Sequence, residues 1–149
     1  MHRDDRYKEQ AMIDLATEFG ARAERRLREE KVAWLVTVRP DGTPIPVPVW
    51  FLWDGATVLV YSQPHTGKLR NIAHNPRASL HLRTDKLGND VVVLTGDAHV
   101  ELGAPSAAAV PAFVDKYADS IADMHLTVEA MAADYSVAIR FVPDRVSGF

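Results

Sequence analysis

The sequence predicts a small antiparallel β-barrel with helices added at its margins, an α+β fold and not a βαβ sheet. Two observations carry this. About six short apolar runs with period-two patterning succeed one another, mostly across hairpin-type turns, and a single short helical pattern is inserted after the third run. The chain has 149 residues, enough for one domain with a sizeable core.

Residues 1–12 read as a frayed or loosely helical extension. Residues 14–30 place Leu15, Phe19, Ala23 and Leu27 four apart, one apolar helix face, with Gly20 as a possible interruption. Val32 to Val38 reads as the first strand, turned by Pro40-Asp41-Gly42. Residues 43–53 read as the second, and Trp53-Asp54-Gly55 as a type I′ hairpin turn. Ala56 to Ser62 is the third strand, followed by a helix at about 67–75 that Asn75-Pro76 stops. Ala78 to Arg83 is the fourth strand. Val91 to Leu102 is a long fifth, in which Gly96 marks a bulge or barrel bend. Residues 106–118 and 123–133 read as alanine-rich helices. Tyr135 to Val142 closes the chain as a strand with Val137, Ile139 and Phe141 on one face. Residues 1–18 are assigned to an N-terminal extension and 19–149 to the barrel domain.

The second strand carries a ladder of prolines. Pro44, Pro46 and Pro48 alternate with Ile45, Val47 and Val49. Backbone N–H groups point alternately to the two sides of a strand, so prolines two apart remove donors from one side only. The strand therefore has one poorly pairable edge. Ile45, Val47, Val49 and Phe51 face the core, and Trp50 lies on the proline face. Such an edge either receives a flat ligand beside Trp50 or protects the sheet from edge-to-edge aggregation.

The segment from Val58 to Pro76 is the most informative in the chain. An apolar strand ends at Tyr61-Ser62, a polar turn follows, and a helix opens with Thr66-Gly67-Lys68. Thr66 is an N-cap candidate, and Gly67 lets the backbone approach a ligand. The amides and positive dipole end of a helix N-terminus favour an anion. Lys68 and Arg70 add positive charge. The segment reads as a phosphate seat; the plainer reading is a capped surface helix with solvated basic residues. It is not a Walker loop, which would need glycine at position 62 and serine or threonine at position 69, where Ser62 and Leu69 stand. No G-x-G-x-x-G occurs.

Composition excludes several function classes. The net charge is −3, with no basic run beyond Arg22–Arg28, so no nucleic-acid footprint is present. The chain has no cysteine, which removes disulfides, thiolate metal sites and cysteine nucleophiles. Met1 to Arg6 lacks the character of a secretory signal, and no apolar run approaches transmembrane length. A cytoplasmic protein without membrane attachment is the expectation. The six histidines are scattered, and only His81 with His99 would suit a metal, if their strands were adjacent. Ser62 lacks the G-x-S-x-G context of an elbow nucleophile. Asp97 and Glu101 read as solvated; the face of the first helix with Arg22, Arg25, Arg26 and Arg28 reads as solvated or as a site for an acidic tail.

In order along the chain, the segments "PVPVWFLWDG", "VLVYS", "TGKLRNIAHNPRASLHL" and "VAIRFVPDRVSGF" resemble the pyridoxamine 5'-phosphate oxidase-like split β-barrel proteins. Among these the similarity is to the actinobacterial branch that uses the deazaflavin coenzyme F420. The resemblance covers about residues 19–149. It implies a homodimer with two cofactor sites at the interface. It implies a flavin or deazaflavin ring against the second and third strands, at Pro48, Val49 and Trp50, with Tyr61 and Ser62 at the strand end. It implies cofactor phosphate on Thr66, Gly67 and Lys68, with Asn71 on the same helix. The final strand and tail, from Arg140 to Phe149, would reach the partner's site. Many deazaflavin-using relatives carry arginine two residues before the lysine. Thr66 stands there, which resembles the flavin mononucleotide pattern instead.

No acid–base pair or nucleophile stands out, which suits chemistry carried by a cofactor. Trp50 and Phe51 suit a planar, conjugated substrate. The expected function is an F420-dependent reductase that delivers a hydride to an activated double bond. The alternatives are an oxidoreductase using FMN, a non-catalytic flavin-binding protein, or a barrel dimer without ligand. The partners expected are a second copy and a small molecule.

Overall fold

The computed structural model describes residues 8–10 and 12–149. It is a split antiparallel β-barrel: one curled sheet with, among the described residues, four α-helices. In chain order the elements are β1 (Lys8–Gln10), α1 (Glu18–Glu29), β2 (Ala33–Val38), β3 (Pro44–Val49), β4 (Leu52–Trp53), β5 (Val58–Ser62), α2 (Gly67–His74), β6 (Arg77–His81), β7 (Val92–Val100), α3 (Pro111–Asp123), α4 (Val128–Asp134) and β8 (Val137–Gly148). A single 3-10 turn, Ala107–Ala109, precedes α3. The strands are hydrogen-bonded in the order β3-β2-β6-β7-β8-β5-β4, and β1 adds to β8.

The ends of that order explain the barrel. β3 and β4 are its two edges, yet only Trp50 and Phe51 separate them along the chain. The run expected as one strand over 43–53 is therefore divided at Trp50-Phe51. Its first half pairs with β2 and its second with β5. The proline ladder lies on the edge strand β3, as its missing donors require. Its prolines are exposed and its alternate residues are half-buried or buried.

Two apolar cores sit on the two faces of β5, whose five residues are all buried. Inside the barrel, Phe51, Val58, Val60, Ile139 and Phe141 pack with Phe19, Ala23 and Leu27 of α1. Outside it, Leu59, Tyr61 and Ala138 pack with Phe113, Tyr117, Ile121 and Met131 of α3 and α4. The two helices and their connections form an arm inserted between β7 and β8. The near-continuous apolar run of β5 is what burial on both faces requires.

Several expectations need correction. Lys8–Gln10 is a strand paired with Val146–Gly148, not frayed helix; residues 1–7 and 11 lie outside the described residues. α1 begins at Glu18 because the Thr17 hydroxyl accepts the Gly20 N–H, which leaves Leu15 exposed in the preceding turn. Gly20 does not interrupt the helix. It lies in the first turn against the Asp14 carbonyl, where an added Cβ would stand 1.8 Å from the oxygen. The turn at Asp54-Gly55 is not type I′, which needs positive φ at both central residues. Only Gly55 has it (φ 97°), and the Asp54 carboxylate instead accepts the Ala56 and Thr57 amides. α3 starts at Pro111, several residues later than expected, since proline suits a helix's first turn. β8 runs on to Gly148, far past Val142.

Gly96 does mark a bulge. The β7–β8 register shifts between Thr95 and Gly96, and a Cβ at Gly96 would lie 2.1 Å from the Val142 carbonyl oxygen. No helix among the described residues is long and apolar enough to cross a membrane.

Candidate functional site

Lys68, in the first turn of α2, stands between two depressions. On one side is a groove of about 440 Å³ between β2, β3 and α2. Its floor is Thr37, Ile45 and Val47, and its rim carries Arg39, Lys68 and Arg70, with no carboxylate among its lining residues. On the other side is a cleft of about 350 Å³. One wall is Pro48, Val49 and Trp50; the opposite wall comes from the α3–α4 arm.

The start of α2 is built to leave donors open. Thr66 is the N-cap by position, but its hydroxyl lies 3.1 Å from the Ser62 hydroxyl and makes no capping bond. Ser62 in turn donates to the Gln63 carbonyl. The first helical amides are thus uncapped by any side chain, and the dipole's positive end faces the groove. Gly67 keeps the approach clear, for a Cβ there would meet nothing nearer than an Arg70 nitrogen at 3.8 Å. Lys68 is half-buried and makes no ion pair or hydrogen bond among the described residues. Its burial lowers its pKa with no carboxylate to offset the effect. An unpaired, partly desolvated ammonium beside uncapped amides is an arrangement that favours an anion. Arg39 keeps a loose, exposed contact with Asp41 at 3.6 Å, and Arg70 donates to the His65 carbonyl.

Asn71 lines the groove with its side chain already engaged, donating to the Thr37 hydroxyl at 3.0 Å. It fastens α2 to β2. Tyr61 lines the cleft, donates to the Pro105 carbonyl and packs edge-on against Phe113. Burial raises its pKa, with smaller opposed effects from Arg140 and Glu101. The structure therefore brings Pro48, Val49, Trp50, Tyr61 and Lys68 around the cleft, and Thr66, Gly67, Lys68 and Asn71 around the groove, with Ser62 behind Thr66. Arg140 lies apart from both. Its guanidinium makes two bonds to one Glu101 oxygen (3.2 and 2.8 Å) and a third to the Thr57 hydroxyl.

Three of the four arginines of α1 are answered by carboxylates: Arg22 and Arg26 by Asp90, Arg26 also by Glu30, and Arg28 by Glu24. Arg77 likewise holds Asp97 and Asp144. Among the described residues no three histidine or carboxylate side chains meet as a metal site. His81 pairs with Val93 and His99 with Arg140, so the two histidines are not neighbours.

The residues that set Trp50 in place escaped the sequence reading. Trp50 stacks on Tyr117 with ring centroids 4.5 Å apart and planes 5° from parallel. The Tyr117 hydroxyl accepts the Phe51 amide at 2.8 Å and donates to the Lys31 carbonyl at 2.6 Å. Lys116 donates to the Phe51 carbonyl and lies over the Phe51 ring at 3.8 Å. Burial, helped by neighbouring Lys31, brings the Lys116 pKa down to about 8. Phe113, Tyr117 and Ile121, four apart, were the available signal for this helix face.

The family described as "Pyridoxamine 5'-phosphate oxidase" matches residues 19–148. No curated protein is similar enough in sequence to be matched. Among solved structures, an F420 reductase is 26% identical over 83% of this chain and 94% of its own, with a TM-score of 0.61. A conserved hypothetical protein from Mycobacterium tuberculosis is 23% identical over 95% of this chain and 89% of its own, with a TM-score of 0.69. An FAD-binding protein from Mesorhizobium loti is 18% identical over 95% and 93%, with a TM-score of 0.59. The last two similarities show the fold alone.

Proposed function

The chain belongs to the pyridoxamine 5'-phosphate oxidase family, and within it we propose a reductase that uses the deazaflavin coenzyme F420 to reduce an activated double bond in a conjugated small molecule. The observation that carries this is the unpaired Lys68 beside the uncapped start of α2, where the basic groove and the apolar cleft meet. These residues fit a cofactor with a phosphate and a planar ring. Lys68, the α2 amides and the open face of Gly67 would hold the phosphate. Pro48, Val49 and Trp50 offer the ring a flat apolar wall. When bound, the reduced coenzyme supplies a hydride, and a proton from water completes the reduction of the double bond. The protein's part is to place the ring against its acceptor.

Two observations favour the deazaflavin. The F420 reductase is a relative by structure, and the groove carries Arg39, Lys68 and Arg70 without a lining carboxylate. That rim suits an acidic tail longer than one phosphate better than the face of α1, where Arg22, Arg26 and Arg28 are already paired with carboxylates. One observation favours FMN: Thr66 stands where many deazaflavin users have arginine. Titrating the purified protein with both cofactors tests the choice. Tighter binding of the deazaflavin is expected, and equal or tighter binding of FMN would replace it. Turnover of the reduced deazaflavin with conjugated acceptors then separates an enzyme from a carrier.

The working unit is proposed to be a dimer. The outer face of the sheet presents Pro48, Trp34, His81, Val93 and Ser147 as a row across five strands. Pro46, Val36, Ser79, Thr95 and Arg145 form the next row. Trp34 is 41% exposed in the single chain. These two rows hold little charge before the Arg77–Asp97 pair further along the same face, and a second copy would cover them. Light scattering at micromolar concentration should give twice the chain mass, and Trp34→Glu should give the monomer. A wild-type monomer that binds cofactor fully would refute the shared site.

A further inference from the structure

The cleft's two walls differ in kind, and the arm-side wall has its own ligand chemistry. Met124 and Leu126, at the α3–α4 corner, are nearly half exposed, 47% and 45%, although they line a concave surface. Met131 continues this wall inward, buried. Unbranched and flexible side chains such as methionine adapt to varied apolar shapes. The wall ends in Asp134, the one carboxylate that lines the cleft. Gln63 donates to Asp134 Oδ2 at 2.9 Å, which latches the arm to the turn before α2 and orients the carboxylate. No cation among the described residues pairs with Asp134. The cleft thus carries positive charge at Lys68, negative charge at Asp134, and apolar surface between them.

We infer that the arm-side wall is the acceptor subsite, and that it takes planar apolar molecules bearing a cationic or hydrogen-bond-donating group directed at Asp134. The inference rests on the proposed cofactor reading for the word acceptor. The anionic and planar parts of the cofactor are accounted for by α2 and by Pro48 to Trp50. A second planar molecule entering the cleft meets the arm. An anionic acceptor would bring like charge against Asp134, and a cationic one would find its counter-charge there.

The test uses two planar three-ring fluorophores of opposite charge at neutral pH, 9-aminoacridinium and anthracene-9-carboxylate. Each is titrated into the full chain, with and without saturating oxidised cofactor. Wild type should bind the cation more tightly, and Asp134→Asn should reduce the cation-to-anion preference by roughly threefold to fivefold, the upper range for a partly exposed charge contact. Leu126→Ala should weaken both probes alike. The inference is overturned by an unchanged preference in Asp134→Asn, by wild type preferring the anion, or by cofactor displacing the cationic probe. Cofactor binding by Asp134→Asn should match wild type. If neither cofactor binds wild type, the cofactor reading fails by itself, and the probe preference still decides whether Asp134 selects the ligand.

Discussion

Replacing Tyr117 by alanine is expected to cost about 3–5 kcal/mol of folding stability, the range for removing a large buried aromatic side chain. Tyr117 is 0% exposed and among the largest fully buried side chains of the protein. Its ring lies between Trp50 and Phe113. Its hydroxyl joins Lys31, before β2, to Phe51, at the divide between β3 and β4. Truncation therefore opens a cavity and also unpairs the Phe51 amide and the Lys31 carbonyl. Tyr117→Phe separates the two losses. It keeps the stack and leaves those backbone groups without their partner, at a cost of about 1–3 kcal/mol. Denaturant unfolding of both variants measures the difference, and a loss below about 1 kcal/mol for Tyr117→Ala would refute the clamp. Because Trp50 forms part of the cleft wall, the alanine variant should also change the near-ultraviolet dichroism of the folded protein. The arm thus does two things. It adds a second core outside β5, and it fixes the bend that lets one run of chain close both edges of the barrel.

That bend shows where the sequence is legible and where it is not. The strands β2, β5, β6 and β7, the edge position of β3 and the bulge at Gly96 follow from alternation, proline chemistry and a glycine within a strand. Each is a local property. The division at Trp50-Phe51 is not local. Residues 43–53 read as a continuous strand, and only the hydroxyl of Tyr117 and the ammonium of Lys116, more than sixty positions later, meet the backbone at the break. The first strand β1 was missed for the same reason, since its partner is the far end of β8. The helix start at Thr66, Gly67 and Lys68 was legible because it carries its own local signals. The opposite wall was not, since Met124, Leu126 and Asp134 reach the cleft only through the docking of the arm. Arg140 follows from resemblance alone, and within one chain its partners are Glu101 and Thr57.

Lys68→Ala is expected to weaken cofactor binding roughly tenfold to a hundredfold. The wild-type ammonium has no partner among the described residues, and it stands beside amides that no side chain caps. A charge-assisted contact to phosphate contributes on the order of 1.5–3 kcal/mol, which gives that range of affinity. The fold should persist, because the lysine gives up no internal bond when removed. Unfolding of the variant should match wild type within about 0.5 kcal/mol. Arg70→Ala is the matched control: its guanidinium already donates to the His65 carbonyl, and it lies at the groove's rim. It should matter less. The pH dependence carries the same sign. Burial lowers the Lys68 pKa, and phosphate requires the charged form. Affinity should therefore be greatest while the lysine is protonated, and should fall as pH rises through its lowered pKa, below the ordinary lysine range. Lys68→Ala should lack that dependence. If Lys68→Ala binds as wild type does while Arg70→Ala loses binding, the phosphate lies further along the groove toward Arg39. If neither substitution matters, the start of α2 is not the phosphate seat, and the apolar cleft alone must account for any cofactor that binds.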